Sequence, residues 1–118
     1  MRSKEISDYA TVQRWMGSGT VDPISERLRR RALDVLTRFC AHQNTDPDAM
    51  IAAASMDRHV KNGFMRALKD WVKTYANNER ERHDAENAVR SFFIANGLRV
   101  ITKPYLDVYN RPGSGGAP

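Results

Sequence analysis

A single cysteine, Cys40, occurs among the 118 residues. With no second thiol, an internal disulfide is excluded, and so is a zinc site built mainly from cysteines. Cys40 reads instead as an inert thiol at the edge of a core. Long apolar runs are also missing. No stretch approaches the roughly 20 residues that cross a bilayer, and Met1-Arg-Ser-Lys-Glu-Ile6 lacks the apolar segment of a secretory signal. A cytoplasmic protein with no membrane partner is expected. The three histidines, His42, His59 and His83, fall on different helical segments with no carboxylate at ligand spacing, so neither a metal nor another cofactor is expected. There is no internal repeat, and no alternating apolar pattern long enough to argue for a sheet.

What is present suits one small helical domain that meets a polyanion. A chain of this length with 41% hydrophobic residues can bury one modest core. Nineteen Lys plus Arg against fourteen Asp plus Glu leave a net charge of +5, and fourteen of the nineteen cations are arginines. Guanidinium groups match phosphates and the guanine edge bidentately, so this balance favours phosphate-bearing partners.

Helical periodicity organises the chain. Tyr9, Val12, Trp15 and Met16 predict a first helix from about Asp8 to Met16, stopped by Gly17-Ser-Gly19. Asp22-Pro23 is a cap followed by a first-turn proline. From there Ile24, Leu28, Ala32, Val35, Leu36 and Phe39 form one stripe of a helix reaching about Gln43, with Arg27, Arg30, Arg31 and Arg38 opposite it and Asp34 among them. Thr45-Asp-Pro-Asp48 starts a short helix through Ala54. Asp57 precedes a long helix whose apolar face is Val60, Phe64, Leu68, Trp71, Val72 and Tyr75, ending at Asn77-Asn78. Lys61, Lys69 and Lys73 on that helix suit phosphate contact and plain solubility equally.

The last helix, Glu79 to Asn96, has Ala85, Ala88, Val89, Phe92 and Phe93 as its expected inner face and Arg80, His83, Asn87 and Arg90 as its outer one. Gly97 is placed for a left-handed cap, with Leu98 closing it. The expected fold is all-α, a compact bundle of four main helices plus one short helix, spanning residues 8 to 103. Residues 1 to 7 are expected to be a loose N-terminus. Residues 104 to 118, ending Gly113-Ser-Gly-Gly-Ala-Pro118, have linker composition.

Two stretches carry a resemblance. Gly19-Thr-Val-Asp-Pro-Ile-Ser-Glu-Arg-Leu28 opens a basic helix at a turn, and Ala88-Val-Arg-Ser-Phe-Phe-Ile-Ala-Asn-Gly-Leu98 closes one at a glycine. In this helix order they resemble the N-terminal core-binding domain of tyrosine recombinases, the phage integrase family, a SAM-like helical module that holds duplex DNA as one half of a clamp. The likeness covers about residues 8 to 103. It departs from the family's pattern at Val21-Asp22-Pro23, where a small residue usually precedes the proline, and in the acidic Asp57 and Asp70 of the middle helix.

The resemblance implies double-stranded DNA as partner, contacted by Ser25, Arg27, Arg30 and Arg31 on one helix and by Arg80, His83, Asn87 and Arg90 on the last. Most arginines are then expected on phosphates. Asn87 and Arg90 are the candidates for base edges, since Asn pairs bidentately with adenine and Arg with guanine. It also implies other recombinase protomers as neighbours on DNA, no small-molecule substrate, and a catalytic domain elsewhere, toward which residues 104 to 118 lead. That makes the chain an excised piece or a natural truncation.

No catalysis by this chain is expected, because the family's His-x-x-Arg signature is absent: Thr45, Asn62 and Glu86 stand three residues after the histidines. Tyr105 and Tyr109 follow no such signature and read as packing or linker residues. Two rivals stand beside this reading. One is a helical protein-interaction or assembly domain, with Tyr9, Trp15 and Met16 of the first helix as its contact surface. The other is a small stand-alone DNA-binding regulator.

Overall fold

Local sequence signals place five helices, and a computed structural model describes residues 5 to 18 and 26 to 100. After a 3₁₀ turn at Ile6–Asp8 come α1 (Ala10–Met16), α2 (Glu26–His42), α3 (Pro47–Met56), α4 (Arg58–Tyr75) and α5 (Glu79–Ala95). No strand occurs among the described residues. The protein is all-α, as its periodicity predicts. The Asp22-Pro23 start, Ser25, and the linker at 104 to 118 lie outside the described residues.

Several helix ends show the chemistry that the sequence offers. The Asp46 carboxylate accepts from the Ala49 N–H at 2.8 Å, with Pro47 in the first turn, where its missing donor leaves nothing unpaired. Asp57 caps α4 through the His59 N–H at 2.8 Å, and Asn78 caps α5 through the Glu81 N–H at 2.9 Å. At the far end of α5, Gly97 adopts φ +88°, a left-handed conformation that a Cβ disfavours. The Leu98 N–H reaches back to the Phe93 carbonyl and the Gly97 N–H to that of Ile94, satisfying carbonyls at the helix end. The first helix begins later than expected. Asp8 ends the 3₁₀ turn, and its Oδ2 accepts from the Glu5 N–H, so the α-helix starts only at Ala10.

One aromatic-rich core holds the helices together. α3 packs on α4, α4 on α5, α5 on α2, and α1 bridges α3 and α5. Trp15 is fully buried edge-on against Phe92, ring centroids 5.4 Å apart, and its indole N–H donates to Ser91 Oγ at 2.9 Å. Tyr9 and Met16 pack on the same core. The surface expected of the first helix for partner contact is therefore largely internal. α1 is further tied by the Thr11 backbone N–H and hydroxyl, both donating to Asp48 Oδ1, and by the Asn96 amide, which donates to the Thr11 carbonyl. α2 and α4 run in opposite directions where they meet: Phe39 lies against Trp71, and the Tyr75 hydroxyl donates to Asp34 further back along α2.

Cys40 sits inside this core, and burial, aided by the nearby Asp46 charge, pushes its thiol up to about 12. In the native protein Cys40 is expected to resist a thiol reagent at about pH 8, where exposed thiols begin to ionise. Full reaction in denaturant and none without it is the outcome to look for in a colorimetric thiol assay. The linkage sign follows. Above about pH 9 the unfolded chain releases the thiol proton while the native state keeps it, so stability falls as pH climbs toward 12.

Candidate nucleic-acid interface

Residues of α2 that face away from the core carry the densest guanidinium display. Arg27, Arg30, Arg31 and Arg38 are all exposed, while Ala32, Val35, Leu36 and Phe39 on the other side are buried. Acidic neighbours partly offset them. Arg30 lies 3.5 Å from Glu26, Arg38 takes both oxygens of Asp34 at 2.9 and 3.1 Å, and Arg31 reaches Glu81 of α5 at 3.8 Å. These pairs are about half exposed or more, so water screens them, and competing phosphates can displace them at small cost. Arg27 makes no ion pair among the described residues.

α5 carries a different face from the expected one. Arg80 is exposed, but His83 and Asn87 are half-buried, and His83 lies 3.7 Å from Glu79. Arg90 is not on the outer face. It is 6% exposed, and its guanidinium grips the equally buried Glu86, with Nη2 at 2.7 Å and Nε at 2.9 Å from the same oxygen. A base-edge contact from Arg90 would require breaking a buried ion pair. The reason is angular. Arg90 lies only about 60° around the helix from Phe93, close enough for neighbouring elements to cover it. Overall, three arginines on α5 meet four carboxylates, Glu79, Glu81, Asp84 and Glu86, so this helix is net negative.

Where α5 meets α2 and the end of α4 there is a groove of about 730 Å³. Its rim holds Arg31 and Arg38 beside Asp34, Glu81 and Asp84. Near it the Tyr75 hydroxyl titrates above its ordinary value, because of burial first and then the charge and hydrogen bond of Asp34. Two arginines against three carboxylates do not make a cationic saddle.

α4 supplies a second basic surface. Arg58, Asn62, Arg66, Lys69 and Lys73 are all exposed. At 100° per residue they fall within an arc of about 80°, opposite the stripe of Phe64, Leu68, Trp71 and Tyr75. Asp70 is the helix's single carboxylate against five cations. It lies 3.8 Å from Lys73, and Lys61 is spent on the Arg99 carbonyl at 2.6 Å. Arg58, Arg66 and Lys69 make no ion pair among the described residues. The signal was present in the sequence as cations at i, i+8, i+11 and i+15 with hardly an acid between them. The lysines taken singly obscured it.

Comparison of the chain with protein-family models, with curated proteins and with solved structures gives no match. Among the described residues no group of three or more His, Cys, Asp or Glu side chains is arranged to hold a metal ion, and no helix is long and apolar enough to cross a membrane.

Proposed function

We propose that this domain grips duplex DNA through phosphate contacts, in the manner of the core-binding half of an integrase-like site-specific recombinase. It acts by binding rather than turnover, and it places a separate catalytic domain on the recombination site. The observation that carries this reading is the pair of exposed basic faces on α2 and α4, each backed by core, the α4 face short of acidic partners and the α2 face paired only through solvent-screened contacts. The α4 stripe runs about 22 Å from residue 58 to residue 73, which matches roughly six nucleotide steps at 3.4 Å each. Like charges at i,i+3 and i,i+4, such as Arg66, Lys69 and Lys73, disfavour the free helix by about 0.2–0.5 kcal/mol per pair. A polyanion relieves that repulsion.

Of the residues carried over by resemblance, Arg27, Arg30 and Arg31 keep their proposed role on phosphates, and Arg80 is available at the start of α5. Asn87 is the remaining candidate for a base edge. The acidic balance of α5 makes it the weaker partner in the grip, and α4 takes the larger share. Because isolated phosphate contacts release counterions, binding is expected to be steeply salt-dependent.

Fluorescence anisotropy of a labelled duplex at several salt concentrations tests this. A drop in affinity of about 10³ between roughly 50 and 200 mM salt is expected if about six phosphates are engaged. Arg66→Ala with Lys69→Ala should reduce the slope of log K against log salt by about 2, and Arg27→Ala with Arg30→Ala by a similar amount. An affinity indifferent to salt, or unmoved by either double variant, sinks the reading.

A further inference from the structure

The groove at the junction of α2, α4 and α5 borders the basic face of α2 at Arg31 and Arg38, and its construction suits a helix rather than a phosphate chain. Its two long walls are helix ridges. On α2 the lining residues recur from Leu28 to Arg38, and on α5 from Glu81 to Ala88, about 15 and 10 Å of rise respectively. An incoming helix that anchors itself through residues i, i+4 and i+7 covers about 10.5 Å. The buried part of its lining between the two walls is made of short side chains: Ala32, Val35 and Ala85 are buried, and Ala88 lies beside them. Larger residues there would have filled the trough. Leu28, 49% exposed, offers apolar surface at one end, and Trp71 and Tyr75 close the other, their rings 4.9 Å apart.

Charge selects the occupant. In a chain of net charge +5 the groove is locally negative, with two arginines against three carboxylates. Both arginines already face acids, Arg38 on Asp34 and Arg31 on Glu81. Asp84 is exposed and makes no ion pair among the described residues. The geometry points to a docking site for an amphipathic helix of a protein partner, one that lays leucine-sized side chains on this short-side-chain lining and sets lysine or arginine against Asp84 and Glu81. Such an occupant completes a helical layer that α2 and α5 leave open. Arg31 borders both surfaces, but Arg27, Arg30 and the α4 cations lie outside the groove and Asp84 and Glu81 outside the DNA reading, so the two can succeed or fail separately.

The test uses the full chain and a synthetic helical peptide of about 14 residues, ~21 Å long, with leucine at i, i+4 and i+7 and lysine on the flanks. Its counterpart replaces every lysine with glutamate. Isothermal titration measures affinity, and backbone amide shifts locate the contact. The lysine peptide is expected to shift amides around Ala32, Asp84 and Ala88, although the chain as a whole repels cations. Asp84→Lys with Glu81→Lys should weaken it at least about tenfold, equal to about 1.4 kcal/mol, and Ala88→Trp should do the same by filling the trough. Asp84 and Glu81 are surface residues, so that variant stays folded even if the tryptophan variant does not. Equal binding of the glutamate peptide, shifts confined to other faces, absence of binding, or self-association of the chain through this groove each overturns the proposal. Duplex DNA affinity should not fall in Asp84→Lys with Glu81→Lys, whereas it falls in the α2 and α4 variants.

Discussion

Replacing Arg90 by Ala is expected to destabilise the domain by about 3–5 kcal/mol, because it strands the Glu86 carboxylate in a site that water does not reach. Both side chains are under a tenth exposed, and the guanidinium supplies both contacts to Glu86 Oε2. A loss of this size is a large part of the margin by which a domain of this size stays folded. At about 4–8 °C per kcal/mol, it lowers the melting temperature by well over 10 °C. Urea titration followed by circular dichroism reads it directly.

The control is the double variant Glu86→Leu with Arg90→Met, which removes both charges. Buried ion pairs often exchange for apolar residues with little loss, so this protein should fold about as well as the parent. A single Arg90→Ala variant with unchanged stability but weakened DNA binding would return Arg90 to the outer face.

Phe92→Ala is the second large effect. Phe92 is fully buried and touches both Trp15 and Phe93, so truncation removes two edge-to-face ring contacts and leaves a cavity between α1 and α5. A cost of about 3–5 kcal/mol is expected. Phe64 makes the instructive comparison. It lies on the same kind of stripe, and its ring is 6.2 Å from that of Phe93, but it is only half-buried, so Phe64→Ala should cost distinctly less. Equal losses for the two, measured by denaturant unfolding, would show that the core is not centred on Phe92.

The caps at Asp46 and Asp57 and the glycine stop at Gly97 were readable because each involves residues within a few positions of one another. The same holds for most of the apolar stripes of α2 and α4, but Leu28 and Val60, expected in those stripes near the helix starts, are exposed because among the described residues no neighbouring helix covers them there. The position of Arg90 was not readable, since a residue at the flank of a stripe is covered or bare according to which neighbouring helix lies beside it. The groove was equally hidden. Alanines at 32, 85 and 88 look like ordinary helix-formers until two helices bring them to face a common space. The basic face of α4 falls between these cases, as its spacing is local but its lack of acidic partners from other helices is not.

Helix number, several helix ends and the all-α class were thus determined by the chain alone, through hydrogen bonds and side-chain periods that close over one or two turns. Which flanking charges went inside, where the cations stand unopposed, and where a trough remains were decided only by packing. Burial and electrostatic pairing depend on elements distant in sequence, and no local pattern encodes them.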